Sequence, residues 1–183
     1  MAVDTRSPSD PFATLGLARS FDLDVAAAER THRELSRALH PDKFVSAGAS
    51  ERRASLAKAI EVNEAWRTVR DPITRATALF ALAGIEVSET KQPPSTPAFL
   101  MAMMEQREEL AEARATKNVA RLDALARSIA SQTAEAERAL AEGFAKGEGR
   151  RDALEPLVVK LGELRFYRRA MDEVGAIQEE LEG

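Results

Sequence analysis

The chain has 183 residues, of which 44% are hydrophobic, 31% are charged and only 5% are aromatic. This balance is typical of a globular protein, and the abundance of alanine favours helices over sheets. Cysteine is absent, which excludes disulfides and any metal or cluster held by thiolates of the chain. The formal net charge of −4 gives no basic surface of the kind that nucleic-acid binding requires.

No segment of the sequence indicates export or membrane insertion. Residues 1–12 are polar and acidic and lack the apolar core of a secretory signal. The most apolar stretch, Ala76 to Ile85, is far too short to cross a membrane. We therefore expect a soluble, cytoplasmic protein with neither a membrane nor a nucleic acid as a partner.

The first predicted elements lead into a long amphipathic helix. A short helical turn opens at Pro11 and ends at Gly16. Asp24 is a good N-cap for a helix that continues to about Leu39, with apolar residues spaced alternately three and four positions apart. Pro41 ends this helix, because the residue before a proline is pushed out of the α conformation.

A second long helix is predicted from Ser50 to about Arg70, followed by a short one from Asp71-Pro72 to Ala83-Gly84. One face of the second long helix repeats every three to four residues and is predicted to face inward. Its members are Leu56, Ile60, Asn63, Trp66 and Val69/Arg70. Two long helices joined by a loop predict a helical hairpin.

The segment Lys91 to Pro97 contains three prolines in seven residues and is predicted to be a linker. Three helical patterns follow it, at about 98–114, 117–142 and 151–181. Glycines at 143, 147 and 149 are expected to separate the second from the third, which begins or kinks at Pro156. Short connections between long helices favour an antiparallel three-helix bundle.

The tripeptide His40-Pro41-Asp42 lies in the loop between the two amphipathic helices. Together with the motifs Phe12-x-x-Leu15-Gly16-Leu17 and Asn63-x-Ala65-Trp66, it resembles the J domain of DnaJ-type co-chaperones. The resemblance implies that the tripeptide is presented to a DnaK-type ATPase. We expect an all-α protein with a J domain at 8–84, a linker at 85–97 and a C-terminal helical bundle at 98–183.

The chemistry of the loop agrees with this interpretation. Pro41 fixes its own φ angle, and Asp42 offers a carboxylate that an arginine of the partner could pair with. The predicted chaperone-binding residues are His40, Pro41, Asp42 and Lys43, with a basic stripe of Arg30, Arg33 and Arg37 that would steer association. The alternatives are that His40 only stabilises a helix end and that the arginines form an ordinary solvated face.

The whole chain resembles one family within this class. No Gly/Phe-rich region or cysteine repeat follows residue 84, and the loop continues as His40-Pro41-Asp42-Lys43-Phe44. With Ala98-Phe99-Leu100-Met101, Arg107-Glu108-Glu109-Leu110 and Leu164-Arg165-Phe166, the sequence is similar to HscB, the J-type co-chaperone of iron–sulfur cluster assembly. The resemblance implies two partners, the chaperone HscA and the scaffold protein IscU, the latter held by the C-terminal bundle.

The predicted scaffold-binding residues are carried over from the family position by position. They are Leu100, Met101, Met104, Glu105, Glu108, Glu112 and Phe166. Helical geometry places Phe99, Met103, Leu110 and Ala113 on the core face, and Met101 and the three glutamates on the opposite face. Phe166 is expected to point away from the core stripe of Leu157, Leu161 and Leu164. The alternative is that Leu100, Met104 and Phe166 simply pack within the bundle.

Three further interpretations differ in protein class. The bundle could serve a different client, the chain could be a self-associating helical scaffold, or it could be an enzyme. The last is disfavoured because no catalytic triad, phosphate loop or set of metal ligands is present, and there are only two histidines. We expect a non-enzymatic monomer without a cofactor.

Overall fold

The structure is a computed structural model that describes residues 10–88 and 96–182. All regular structure in these two ranges is helical, which confirms the predicted all-α class. Two 3-10 turns, Pro41–Phe44 and Glu155–Leu157, interrupt the helices. The helices are α1 (Pro11–Thr14), α2 (Val25–Ala38), α3 (Ala49–Arg70), α4 (Pro72–Leu82), α5 (Pro97–Ala115), α6 (Val119–Gly147), α7 (Arg151–Leu154) and α8 (Val158–Glu182). Within the described ranges, no helix is both long and apolar enough to cross a membrane.

Tertiary contacts divide the chain into two compact units. Unit 1 comprises Met1–Glu86 and Phe144–Leu154, and unit 2 comprises Val87–Gly143 and Glu155–Gly183. The sequence predicts that residues 144–154 belong to the C-terminal bundle, but their tertiary contacts assign them to unit 1. The central part of the predicted linker, residues 89–95, lies outside the described residues.

Phe144 accounts for this difference. Its ring centroid lies 5.8 Å from that of Phe21 and 4.9 Å from that of Phe80, which is fully buried. The predicted helix break at Gly143 is wrong, because α6 continues through this residue to Gly147. A side chain at position 143 would overlap that of Leu157, so the glycine is required for close packing rather than for a turn.

Unit 1 is built around α3, which packs against α1, α2 and α4. Its core consists of Phe12, Leu15, Val62, Val69 and Phe80, each at most 1% exposed. Asp10, Asp24 and Asp71 cap α1, α2 and α4 by accepting hydrogen bonds from backbone N–H groups. Burial alone would raise the pKa of Asp10, but hydrogen bonds from Arg19 and two backbone amides outweigh it and lower that pKa.

The predicted inner face of α3 is partly wrong. Leu56 and Ile60 are 54% and 51% exposed. The buried face consists of Ser55, Val62, Ala65 and Val69. The buried residues lie one position before the predicted ones and fit the same spacing of three and four residues. The predicted face was chosen because its apolar side chains are larger. Small residues such as Ser55 and Ala65 allow the neighbouring helices to approach closely instead.

Unit 2 is a bundle of α5, α6 and α8. Its most deeply buried residues are Leu110, Ala113, Leu122, Ile129, Leu140, Leu161, Leu164 and Val174. Polar contacts also join the helices: Arg114 on α5 pairs with Glu180 on α8 at 2.6 Å, and Gln178 on α8 donates to Asp123 on α6 at 3.0 Å. The 3-10 turn that contains Pro156 directly precedes α8, as the sequence predicts.

The assignment of Phe144 to unit 1 can be tested with Trp66, the single tryptophan of the chain, which lies in unit 1. Because Phe144 is half-buried, Phe144→Ala should destabilise unit 1 by about 1–3 kcal/mol, somewhat less than loss of a fully buried ring. Urea unfolding followed by tryptophan fluorescence measures this change. Phe99→Ala, which removes a ring from unit 2, is the matched control. A tryptophan transition unaffected by Phe144→Ala would contradict the assignment.

Candidate functional site

The loop between α2 and α3 presents the tripeptide to solvent. His40 adopts an extended conformation, as expected before a proline, and residues 41–44 form a single 3-10 turn. The side chains of His40 and Asp42 are 59% and 85% exposed, and His40 Nδ1 lies 3.4 Å from Asp42 Oδ2. Lys43 is also exposed. The tripeptide is therefore accessible, with its imidazole and carboxylate side by side.

Contacts between α2 and α3 hold the base of this loop. The Ser55 hydroxyl donates to the Leu39 carbonyl at 3.2 Å, directly below the loop. Further along, His32 Nε2 lies 2.9 Å from Asn63 Oδ1, and the His32 ring stacks on Trp66 at 5.4 Å between centroids. Asn63 therefore forms a polar link between the helices, a role that its position in an apolar stripe did not indicate.

The basic stripe on α2 faces solvent. Arg30, Arg33 and Arg37 are all exposed, and Arg33 forms an ion pair with Glu29, one turn earlier, at 2.5 Å. An exposed pair of this kind contributes little to stability. These side chains are thus available for long-range attraction of an acidic partner, and their contact with one stays a prediction.

On α5 the predicted division into two faces agrees with the structure. Leu110 and Ala113 are buried, and Phe99 and Met103 are half-buried. On the other side, Leu100, Met101 and Met104 are 43%, 63% and 64% exposed. We call these three residues the apolar patch. Glu105, Glu108 and Glu112 lie on the same helix and are exposed, with Glu112 3.2 Å from Arg121.

Phe166 does not belong to this exposed surface. It is only 8% exposed, and its ring contacts Phe99 and Tyr167 at centroid distances of 5.6 and 5.8 Å. The prediction that it points away from the core is wrong, because α8 contacts both α5 and α6 and therefore buries a wider arc than one stripe. Phe166 supports the helix that carries the apolar patch but is not exposed itself.

The described residues offer no obvious site for a metal. Within residues 10–88 and 96–182, no three or more histidine, aspartate or glutamate side chains converge in a way that could hold an ion. The candidate site consists of two exposed surfaces, the loop in unit 1 and the apolar patch with its glutamates in unit 2.

Comparison with known proteins gives a consistent result. A family profile described as "HSCB C-terminal oligomerisation domain" matches residues 95–175. The "Co-chaperone protein HscB homolog" of Burkholderia multivorans is 37% identical over 173 residues, which is 93% of this chain and 95% of the relative.

Solved structures agree. "Chaperone HscB from Vibrio cholerae" is 28% identical and superposes with a TM-score of 0.80 over 94% of this chain and 99% of its own. Human co-chaperone protein HscB is 25% identical, with a TM-score of 0.81 over 97% of this chain and 84% of its own. The fold, the surfaces and the near full-length similarity lead to one conclusion: the chain belongs to the HscB family of co-chaperones.

Proposed function

We propose that the protein delivers an IscU-like iron–sulfur scaffold to an HscA-like, DnaK-type chaperone and stimulates the ATPase of that chaperone. Unit 1 provides the stimulating contact through His40, Pro41 and Asp42, and unit 2 holds the scaffold. The observation that carries the proposal is the exposed tripeptide at the end of a helical hairpin, whose helices are joined by the hydrogen bond from Ser55 to Leu39. The similarity of the chain to HscB co-chaperones over nearly its whole length agrees with it.

Charge and polarity support the assignment of a different partner to each unit. The loop surface carries polar and charged groups, which suit recognition of a hydrogen-bonding, acidic partner. The surface of α5 exposes three large apolar side chains close together, and such residues are normally covered in a complex. Methionine in particular adapts to an irregular partner surface. The two partners therefore bind chemically different surfaces.

Cytoplasmic location and a monomeric state stay predictions, as do the domain bounds of 8–84 and 98–183. A pull-down from native cells, analysed by mass spectrometry, distinguishes the proposed client from a different one. Recovery of a DnaK-type chaperone without any iron–sulfur scaffold would favour a J-domain co-chaperone for another client.

The loop is tested by His40→Gln and Asp42→Asn. Each variant should abolish stimulation of the chaperone's ATPase, measured as single-turnover ATP hydrolysis. Because both side chains are exposed, the free energy of unfolding should fall by less than about 0.5 kcal/mol. Asp22→Asn, which also removes one exposed carboxylate from unit 1, is the matched control and should stimulate normally. Full stimulation by either loop variant would disprove the role of the tripeptide.

The apolar patch is tested by changing Met101 and Met104 together to Ala. Scaffold affinity, measured by calorimetry, should fall at least about tenfold, because interface energy is concentrated in a few desolvated side chains. The melting temperature should hardly change, since both residues are more than half exposed.

Phe166→Ala provides the contrast. Loss of this buried ring should destabilise unit 2 by about 3–5 kcal/mol, and any loss of scaffold binding should follow the loss of folded protein. If instead Phe166→Ala leaves the melting temperature unchanged, the contacts of the Phe166 ring with Phe99 and Tyr167 do not stabilise unit 2. If the double methionine variant binds normally, the apolar patch is not the scaffold site.

The glutamates should act differently from the methionines. Glu108 is exposed beside the apolar patch, so Glu108→Lys should lower the association rate and alter its dependence on salt, with a smaller effect on dissociation. Stopped-flow mixing with the scaffold at two ionic strengths measures both rates. An effect confined to the dissociation rate would contradict a steering role.

A further inference from the structure

The loop that presents the tripeptide has no buried side chain to anchor it. No residue between Ala28 on α2 and Ser55 on α3 is buried. Within residues 40–48, Phe44 and Ala47 are half-buried and all the others are exposed. Hydrophobic packing therefore constrains this loop only weakly, because it removes little apolar surface from water. Hydrogen bonds supply most of the constraint, so the side chains that donate to the loop control how well it is ordered.

Arg52, near the start of α3, donates hydrogen bonds to the end of this loop. Its Nη1 atom donates to the Ala47 carbonyl at 2.8 Å and to the Val45 carbonyl at 3.4 Å, the second bond being close to the limit of hydrogen-bond length. Three residues further along α3, the Ser55 hydroxyl donates to the Leu39 carbonyl, which precedes the loop. Both ends of the loop are therefore attached to the same helix by side-chain hydrogen bonds.

The position of Arg52 within α3 is unfavourable for a cation. The helix begins at Ala49, after Gly48, which provides no side-chain cap, and Arg52 is its fourth residue. The N-terminal end of a helix dipole is positive and does not stabilise a positive charge. The loop carbonyls do stabilise it, because a charged donor forms a stronger hydrogen bond than a neutral one. The loop rather than the helix therefore orients this guanidinium.

Backbone hydrogen bonds connect the contact of Arg52 with the tripeptide. The Ala47 N–H donates to the Phe44 carbonyl, and the Lys43 N–H donates to the His40 carbonyl, both at 3.0 Å. Phe44 is the last residue of the 3-10 turn that contains the proline and aspartate of the tripeptide. A side chain that fixes Ala47 therefore also restricts the turn and the direction in which the tripeptide faces.

We propose that Arg52 is a positioning residue for the tripeptide His40-Pro41-Asp42. It holds the end of the loop through the Ala47 and Val45 carbonyls and thereby keeps the tripeptide in its exposed conformation before a partner binds. It acts through the loop and is not itself a contact with the chaperone. Its effect on ATPase stimulation rests on the proposed function, whereas the constraint that it places on the loop does not.

Pre-ordering of the loop has a measurable consequence. The apparent affinity of a partner falls in proportion to the fraction of molecules whose loop is in the binding conformation. Loss of a hydrogen bond of average strength changes a local equilibrium about fivefold. Because the loop has no buried anchor, its ordered form is only weakly favoured, so loss of the Arg52 donors should lower the ordered fraction about two- to fivefold.

The first experiment measures the constraint on the full-length protein without a partner. Arg52→Met removes the donors but keeps an unbranched apolar stem, and methionine forms helices about as well as arginine. Amide hydrogen exchange of Lys43 and Ala47, followed by NMR, should become about fivefold faster. The melting temperature should hardly change, because Arg52 is exposed. Unchanged exchange at both amides would refute the constraint.

Arg53→Met is the matched control. It removes the same charge from the next residue of α3, which is also exposed, whereas the loop carbonyls accept from Arg52. Exchange of the Lys43 and Ala47 amides in this variant should equal that of the unchanged protein. If Arg53→Met accelerates exchange as much as Arg52→Met does, the effect comes from charge alone and the assignment to the Arg52 hydrogen bonds is wrong.

The second experiment measures the concentration of each variant that half-maximally stimulates the ATPase of a purified DnaK-type chaperone. Arg52→Met should raise this concentration about two- to fivefold, with an unchanged maximal rate, because the intact tripeptide is ordered once it is bound. The increase should persist at an ionic strength of about 0.5 M, which screens attraction between separated charges. Any defect of Arg53→Met should disappear at that ionic strength.

The outcomes distinguish the positioning role from the alternatives. If Arg52→Met and Arg53→Met require the same concentration at high ionic strength, Arg52 acts only through its charge and the positioning role is wrong. If Arg52→Met lowers the melting temperature and the maximal rate together, its role is to keep the hairpin folded, and the proposal also fails. If even the unchanged protein does not stimulate the chaperone, while Arg52→Met alone accelerates amide exchange, the proposed function fails and the constraint on the loop stands.

Discussion

Each unit of this protein contains a small group of three packed aromatic rings, and these two groups use six of the nine aromatic residues of the chain: seven Phe, one Tyr and one Trp. Phe21, Phe80 and Phe144 meet in unit 1, and Phe99, Phe166 and Tyr167 meet in unit 2. Elsewhere, alanine, serine and glycine let the helices approach closely. Large side chains bury the most apolar surface per residue. These rings, with the aliphatic residues buried beside them, stabilise each unit, and the group in unit 2 includes Phe99 of α5, the helix that carries the apolar patch.

The sequence was sufficient to predict the helices and the exposed loop, since both follow from local rules. Proline and aspartate set the boundaries around His40-Pro41-Asp42, and a spacing of three and four residues identifies each helix. The exposure of Met101 also followed from helical geometry on α5. These features depend on residues that are neighbours in the chain, so a single sequence contains the information they require.

The incorrect predictions all concern contacts with a distant part of the chain. Phe166 was assigned to the exposed side because one apolar stripe was assumed, whereas α8 packs against two helices. Gly143 was taken for a break because glycine is a poor helix former, but Leu157 occupies the space beside it. Leu56 and Ile60 were expected to be buried because they are large and apolar. Ser55 is buried instead, and its hydroxyl donates a hydrogen bond to the Leu39 carbonyl. In each case tertiary packing overrode a correct local preference.

On α5, the residues that pack in the bundle core are distinct from a second set of apolar residues that face solvent. Leu110 and Ala113 are buried, while Leu100, Met101 and Met104 remain exposed although their transfer out of water would be favourable. These exposed side chains do not stabilise the isolated chain. Residues that break the rules of folding without an evident local gain are expected where a protein binds something else. The exposed methionines lie one turn apart on α5, so a single partner that covered this helix would remove both from water.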